Sequence, residues 1–312
     1  MNRRTAVLVT GANGFLGSSV VEALLRNTDR HVVGWGRNPV RLADLRRRLA
    51  SFHSRLTVET ADLLEPASLP GDVRTIVHCA AIRSVVPGQD ESILTRVNED
   101  ATRCLVDCAS DLADARFLYV SSQSVYGPEG APWDETAEPS PVTAYGRSKL
   151  AGERAALRHG ARIDVVVVRL SRLYGATPFA RWHELPGVFV RQVIDRRPLT
   201  VHGTGTSRYD LLHVSDAATG IVELLFPSRS LHHRVYNLGG GGNVSIGELA
   251  ELVADVASRM GLPRPRISHD PERMEGEAYL ELDVRRVVAE TPWRPRVSLL
   301  DGVRGYFEAA GV

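Results

Sequence analysis

The sequence predicts an α/β fold in which a doubly wound parallel sheet is joined by a smaller, partly interleaved C-terminal lobe. Two observations lead to this fold class. Short β-branched runs alternate with helical stretches through the first half of the 312-residue chain, which is typical of parallel strands joined by crossover helices. The run at residues 163–170 is apolar enough to be buried on both faces, as the strands of such a sheet are.

Six strands are predicted in the first half, each as a short apolar run. They lie at Ala6–Thr10, 31–35, Leu56–Thr60, 75–79, 116–121 and 163–170. A glycine turn and a helix at residues 15–26 follow the first strand. A second helix is predicted between the fourth and fifth strands, where six residues recur at helical spacing: Ile93, Leu94, Val97, Ala101, Leu105 and Cys108.

Beyond Leu170 this alternation ends and prolines and glycines become frequent. The elements predicted there are a short strand with a turn at 199–205, a helix at 214–226, a strand at Val235–Leu238, a glycine loop at 239–242 and a helix at 245–260. We expect residues 1–170 to form the sheet domain, with 211–240 returning to it. Residues 171–210 and 241–312 are expected to form the smaller lobe over the strand ends.

Composition excludes several classes of function. A net charge of +1 is too small to indicate binding to nucleic acid. The apolar runs are too short to span a bilayer. The apolar run near the N-terminus ends at Gly11 and Asn13, so it is too short for the apolar region of a signal peptide. The histidines and three cysteines lack zinc spacing, and Cys104 and Cys108, one helical turn apart, are expected to be packed thiols. The sequence therefore predicts a cytoplasmic protein without a metal.

A G-x-x-G-x-x-G pattern joins the first strand to the first helix. Such spacing lets backbone amides approach a pyrophosphate at a helix N-terminus, where the partial positive charge favours an anion. The position between a strand and a helix is the context that the pattern requires. We expect a dinucleotide to bind here, through the residues Gly11, Asn13, Gly14, Phe15, Leu16 and Gly17.

The end of the second strand favours NADP(H) over NAD(H). NAD sites place an acid there to bind the ribose 2′-hydroxyl, whereas NADP sites use an arginine for the 2′-phosphate. This chain has Arg37 and no acid, although Arg37 could also be an ordinary surface arginine. Asp62 and Leu63 are expected beside the adenine, and the pair Ala80 and Ala81 is expected to leave room for the cofactor, although either pair could be ordinary loop.

Lys149 is the only lysine in a chain with 38 lysines and arginines. It follows Tyr145 by four residues in a helical stretch, so both side chains lie on one face. Lowering the pKa of a phenol from about 10 by about three units requires roughly 4 kcal/mol, which a nearby ammonium and a positive nicotinamide ring could supply. The alternative is that Lys149 is a surface lysine without a function, kept by chance.

The sequence resembles the extended short-chain dehydrogenase/reductase family, in its nucleotide-sugar epimerase/dehydratase/ketoreductase branch. The resemblance rests on TGANGFLG, VHCAA, VSSQSVYG, AYGRSK, HGTGTSRYDLLHVSD and YNLGGGGNVSIGELAE. It implies a Rossmann fold and the catalytic residues Ser122, Tyr145 and Lys149, with Asn98 on a supporting helix. It also implies substrate contacts at Ser124, Arg208 and Arg273, although both arginines could be surface charges.

Two departures from the family pattern narrow the expected activity. The Asp-Glu pair that sugar 4,6-dehydratases carry after the catalytic hydroxyl is replaced by Gln123 and Ser124, and Ser171-Arg172 replaces the Phe-Asn of many sugar epimerases. We expect an NADPH-dependent ketoreductase of a nucleotide-diphosphate keto-sugar, such as a 4-keto-6-deoxy sugar. The alternatives are a 4-epimerase with tightly bound NAD and a non-catalytic NADP sensor. The resemblance also implies a homodimer.

Overall fold

The structure is a computed structural model that describes residues 5–64, 68–83, 92–179, 182, 184–270 and 278–312. Its strands in chain order are β1 (Ala6–Thr10), β2 (Val32–Gly36), β3 (Leu56–Thr60), β4 (Val73–His78), β5 (Arg116–Ser122), β6 (Asp164–Leu170), β7 (Arg172–Tyr174), β8 (Leu199–His202), β9 (Arg208–His213), β10 (Val235–Leu238), β11 (Asn243–Ser245), β12 (Ile267–Asp270) and β13 (Tyr279–Leu280).

Ten α-helices connect or follow these strands within the described residues. They are α1 (Phe15–Asn27), α2 (Pro39–Arg48), α3 (Ser92–Thr95), α4 (Ala101–Ser110), α5 (Ala144–Leu157), α6 (Leu185–Ile194), α7 (Val214–Leu225), α8 (Ile246–Arg259), α9 (Arg285–Glu290) and α10 (Leu299–Ala309). A π turn, Arg96–Asp100, joins α3 to α4, and 3₁₀ turns lie at Ala50–Arg55 and Gln123–Val125.

The central sheet is parallel and has seven strands in the order β10-β6-β5-β4-β1-β2-β3. Helices α1, α2 and α7 bury apolar side chains against one face, and α4 and α5 cover the other. Because both faces are covered, the central strands are almost wholly apolar. The predicted α/β fold class is confirmed, and the carboxyl ends of β1, β2, β4 and β5 share one edge of the sheet.

A second group of elements lies beyond this sheet. Strands β7, β9, β11 and β13 form a four-stranded sheet, β8 pairs with β12, and a separate apolar core includes side chains of α6, α8 and α10. Helix α7 and strand β10 belong to the central sheet and its core. No helix in the described ranges has both the length and the apolar run needed to cross a membrane. The division into two lobes, the homodimer and the cytoplasmic location stay predictions.

The predicted strands of the first half lie within two residues of those observed. Two differences have physical causes. The helix predicted around residues 93–108 contains a π turn between α3 and α4, which inserts one extra residue into the helix. None of the four strands of the smaller sheet is predicted from the sequence, because they are two to six residues long and pair with partners distant in sequence.

Candidate active site

The glycine turn after β1 is held together by close backbone contacts at its glycines. Gly11 has a φ of 67°, in the left-handed region that favours glycine, and a Cβ there would lie 2.9 Å from the Ala80 backbone. A Cβ at Gly17 would lie 2.1 Å from the Gly11 carbonyl oxygen, so glycine is needed for α1 to pack against the turn. The N-cap of α1 is Gly14, which has no side chain to occupy the helix N-terminus. These features fit the pyrophosphate of a dinucleotide.

Arg37 lies beside this turn. The side-chain amide of Asn13 donates to the Asn38 carbonyl oxygen at 3.2 Å, and a Cβ at Gly36 would meet the Asn13 side chain at 2.6 Å. Arg37 stands between these two neighbours of Asn13, and its own side chain is exposed. The Asn38 side chain caps α2 by accepting from the Arg41 backbone amide at 3.0 Å. The end of β2 therefore presents a cation next to the glycine turn.

The other predicted cofactor residues line the same sheet edge. Ala80 and Ala81 follow β4, and the Ala80 backbone amide donates to the Thr10 hydroxyl at 3.3 Å. Asp62 and Leu63 follow β3; the Asp62 carboxylate accepts from the Leu64 backbone amide at 3.0 Å. Phe15 and Leu16 open α1, and Leu16 is half-buried against the core.

The catalytic candidates meet where β5 ends and α5 begins. Ser122 is the last residue of β5, and Tyr145 lies in the first turn of α5, which is capped by the Thr143 hydroxyl. The Ser122 hydroxyl lies close enough to the Tyr145 phenol to lower its pKa. A Cβ at Gly146 would lie 2.1 Å from the Ser124 carbonyl oxygen. The glycine after Tyr145 therefore lets the helix approach the end of β5 closely enough for this contact.

The protein's own groups leave the pKa of Tyr145 raised. Burial raises it, while the Arg83 cation and the hydrogen bond from Ser122 lower it by less. The expected lowering of the phenol pKa by the ammonium together with the nicotinamide ring stays a prediction. Lys149 is itself only 2% exposed, and burial lowers its pKa to about 7 against the opposing field of Glu153.

Glu153 and Arg169 form a buried ion pair that sequence reasoning missed. Glu153 lies four residues after Lys149 on α5, and the Arg169 side chain of β6 binds its carboxylate at 2.8–3.3 Å. The Ser121 hydroxyl also donates to Glu153. A signal was present, because Glu153 continues the four-residue spacing of Tyr145 and Lys149 on one helix face. Its partner on β6 could not be read from that spacing.

Asn98 lies in the π turn and connects three segments around the site. Its side-chain oxygen accepts from the Ile82 backbone amide at 2.8 Å, and its nitrogen donates to the Ile82 carbonyl at 2.8 Å and the Ser148 hydroxyl at 3.0 Å. Asn98 is fully buried. It therefore holds the segment after β4 against α5, as expected of a supporting residue, and contact with a cofactor stays a prediction.

The predicted substrate residues are distributed over both sheets. The Ser124 hydroxyl accepts from the Ser122 hydroxyl at 3.2 Å, so it lies beside the catalytic group. Arg208 starts β9, is half-exposed, and binds the Asn243 side chain and the Glu248 carboxylate, the latter at 3.0 Å. Arg273 lies outside the described residues. The structure thus places Ser124 beside the catalytic Ser122. The contacts of Arg208 and Arg273 with the diphosphate of a substrate stay predictions.

Two further expectations concern cysteines and metals. Cys104 is exposed, so the expectation that it is a packed thiol is wrong; Cys108 is half-buried. Their helix turns the Cys104 position outward, away from the core side occupied by Leu105 and Val106. No group of three or more His, Cys, Asp or Glu side chains in the described ranges could hold a metal ion.

Comparison with known proteins places this site in a family. Residues 7–239 match the model of the NAD dependent epimerase/dehydratase family. A dTDP-glucose 4,6-dehydratase of Streptomyces niveus is 32% identical over 95% of this chain and 90% of its own length. Two similar structures are a Bacillus cereus UDP-glucuronic acid 4-epimerase with UDP-glucuronic acid and NAD (TM-score 0.83, 26% identity, covering 98% of this chain and 99% of the other) and MoeE5 with the same two ligands (TM-score 0.80, 31% identity, covering 98% and 99%). The chain belongs to the NAD dependent epimerase/dehydratase family.

Proposed function

We propose that this protein is an NADPH-dependent ketoreductase of a nucleotide-diphosphate keto-sugar. The observation that carries the proposal is the placement of Ser122, at the end of β5, beside the half-buried Tyr145 in the first turn of α5, with the buried Lys149 one turn further along and the glycine turn at the same sheet edge. A hydroxyl and a phenol in contact can bind the two lone pairs of one carbonyl oxygen. The nicotinamide supplies hydride to the adjacent carbon when the cofactor is bound.

Each side chain has a distinct role in this proposal. Tyr145 donates its phenolic proton to the oxygen of the sugar carbonyl as that oxygen gains charge. Ser122 donates a hydrogen bond to the same oxygen and orients it. Lys149 holds a positive charge near the phenol, which favours the phenolate that remains after proton transfer. Because Lys149 is buried, its charge acts on the phenol more strongly than it would in solution.

The choice of NADPH rests on Arg37. The exposed guanidinium beside the glycine turn suits a 2′-phosphate, and no acid stands at residues 36–41 to bind a free ribose 2′-hydroxyl. A cofactor that is exchanged at each turnover suits net reduction. Dehydration is not proposed, because the positions after Ser122 hold the neutral side chains of Gln123 and Ser124 and provide no acid–base pair.

A second candidate is a nucleotide-sugar 4-epimerase that retains NAD. The observation favouring it is the likeness to two structures that contain NAD and UDP-glucuronic acid, one of which is described as a 4-epimerase. The same Tyr145 and Ser122 would then take a proton from the sugar hydroxyl before returning it. The nucleotide sugar as substrate class is common to both candidates.

The two candidates give different products in one experiment. Purified protein is incubated with a panel of nucleotide sugars and nucleotide keto-sugars, with and without deuterium-labelled NADPH. A ketoreductase consumes NADPH and places one deuterium on the product ring, whereas an epimerase converts a nucleotide hexose without added cofactor. Retained NAD in the purified protein together with such conversion would overturn the ketoreductase proposal.

Cofactor choice is tested separately by Arg37→Asp. A charge-assisted contact of about 1.5–3 kcal/mol implies that this change weakens NADPH binding about 10- to 150-fold while NADH binding changes far less. Binding is measured by fluorescence titration. Arg46→Asp, an exposed arginine of α2, is the matched control and should leave both affinities unchanged. Equal wild-type affinity for NADPH and NADH would overturn the assignment of NADP(H).

A further inference from the structure

We propose that Tyr119 is a positioning residue for Lys149, and that the face of its ring holds the lysine ammonium beside the catalytic phenol. The Lys149 Nζ lies 4.1 Å from the centroid of the Tyr119 ring. Cations are attracted to aromatic faces within about 6 Å of the centroid, and the attraction is larger where water is excluded. Both residues are buried, with Tyr119 fully inaccessible. The role of Lys149 in catalysis rests on the proposed function, but the contact itself does not.

The ring is fixed in place from several sides. The Tyr119 hydroxyl donates towards the Asn98 and Lys149 carbonyl oxygens, each at 3.4 Å. The His78 ring packs at a centroid distance of 5.7 Å. A Cβ at Gly152 would lie 2.2 Å from the Tyr119 hydroxyl oxygen, so glycine at that position is what admits the phenol between β5 and α5. A ring held in this way can act as a rigid platform for the ammonium.

Among the residues that the structure describes, the ring is the direct partner of the ammonium. In the described residues, Nζ of Lys149 has no hydrogen bond and no ion pair. The Glu153 carboxylate is bound by Arg169 and Ser121, although its field still raises the pKa of Lys149. The Cys79 thiol has its pKa raised by burial, and His78 is neutral because burial lowers its pKa to about 3.

An aromatic platform suits this lysine chemically. A carboxylate or carbonyl partner would accept hydrogen bonds and occupy the N–H donors that the amine needs for a ligand. A ring face attracts the charge while providing no lone pair of that kind. The platform therefore offsets part of the burial that lowers the pKa of Lys149, and leaves its donors available.

The sole lysine makes a direct test possible. Lysine labelled with ¹³C and ¹⁵N gives one side-chain signal in the cofactor-free protein, and its pH titration gives the pKa of Lys149. The variants are Tyr119→Phe, which keeps the ring, and Tyr119→Leu, which removes it. Phe117→Leu, an equally buried change two residues earlier on β5, is the matched control.

We expect wild type, Tyr119→Phe and Phe117→Leu to titrate together. Tyr119→Leu should lower the pKa of Lys149 by about 0.4 to 1.4 pH units, which is a cation–π contact of about 0.5–2 kcal/mol converted at about 1.4 kcal/mol per pH unit. Equal pKa values in Tyr119→Leu and wild type would overturn the proposal. If Tyr119→Leu does not fold, the wild type decides, because Lys149 ε protons over a ring face must be shifted upfield. The absence of that shift would also overturn it.

This test does not depend on the reaction. A shifted lysine titration without turnover of any nucleotide sugar would leave the positioning role standing and remove the proposed function. Turnover of a nucleotide sugar together with equal Lys149 pKa values in wild type and Tyr119→Leu would support the proposed function and remove the positioning role of Tyr119. In an active enzyme, Tyr119→Leu should move the alkaline limb of the pH–rate profile to lower pH. Tyr119→Phe, which keeps the ring, should leave that limb where it is in the wild type.

Discussion

Lys149 is the residue on which the proposed chemistry depends most. It is buried on α5, one helical turn after Tyr145, and the other 37 residues among the lysines and arginines of the chain are all arginines. An ammonium is a compact charge, whereas a guanidinium is planar and spreads its charge over three nitrogens. The Lys149 Nζ lies 4.1 Å from the centroid of the Tyr119 ring and the side chain is buried, so a larger guanidinium would have to displace its neighbours.

Lys149→Arg should therefore be a severe change although it preserves charge. We expect turnover to fall by about 10²–10⁴, comparable with Tyr145→Phe, because both changes disable the same proton transfer. The double variant Tyr145→Phe/Lys149→Arg should lose little more turnover than either single variant, since the effects of substitutions at residues that act as a unit do not add. Steady-state kinetics on the substrate found in the panel measures this, with Arg147→Lys on the exposed side of α5 as control. Near wild-type turnover in Lys149→Arg would remove Lys149 from the mechanism.

Helix α5 can approach β5 only because of its glycines. A Cβ at Gly152 would lie 2.2 Å from the Tyr119 hydroxyl oxygen and 2.7 Å from the Asn98 carbonyl oxygen. Gly152→Ala should lower the free energy of unfolding by about 1–3 kcal/mol through overpacking. Tyr119→Phe in the same chain should restore part of this loss, because it removes the nearest atom. Urea unfolding at pH 7 measures both effects.

A glycine with free space provides the control for this element. A Cβ at Gly305 in α10 would meet nothing within 4 Å, so Gly305→Ala should raise stability by roughly 0.5–1 kcal/mol through helix propensity alone. If Gly152→Ala is as stable as wild type, then α5 and β5 are less tightly packed than the structure indicates.

The sequence predicted elements well where the signal is local. Strand β1, the glycine turn, α1 and the start of α5 follow from apolar runs, glycine spacing and the four-residue spacing of Tyr145 and Lys149. The π turn at Arg96–Asp100 did not, because one extra residue leaves the apolar spacing nearly unchanged. The Tyr119–Lys149 and Glu153–Arg169 contacts also could not be predicted, since each depends on how a helix is placed over a strand.

At the scale of the whole molecule, one buried carboxylate joins segments from three parts of the chain. Asp210 on β9 accepts from the Gly240 backbone amide at 2.6 Å and from the Leu282 backbone amide at 3.2 Å. Burial raises its pKa to about 6. Gly240 follows β10 of the central sheet, so Asp210 fixes β9, which carries Arg208, against that sheet. These partners are 30 and 72 residues from Asp210, beyond the reach of local sequence patterns.

The buried lysine should also leave a signature in the stability of the whole chain. Burial lowers the pKa of Lys149 to about 7 in the folded protein, whereas lysine in an unfolded chain keeps a pKa of about 10.4. Between these values the unfolded chain binds more protons than the folded one, so the free energy of unfolding rises with pH. The slope approaches about 1.4 kcal/mol per pH unit, and it vanishes below the folded pKa, where both states are protonated.

Lys149→Met removes this titration and keeps the length of the side chain. The difference in free energy of unfolding, wild type minus Lys149→Met, should be flat at and below pH 6 and should rise by about 1–3 kcal/mol between pH 7 and pH 9. Urea unfolding in matched buffers at each pH unit measures it. Arg147→Met, on the exposed side of α5, should give a flat difference over the same range because arginine stays charged in both states. A flat difference for Lys149→Met as well would mean that the ammonium keeps an ordinary pKa in the folded chain. In that case the burial of Lys149 would not be what sets its charge in the active site.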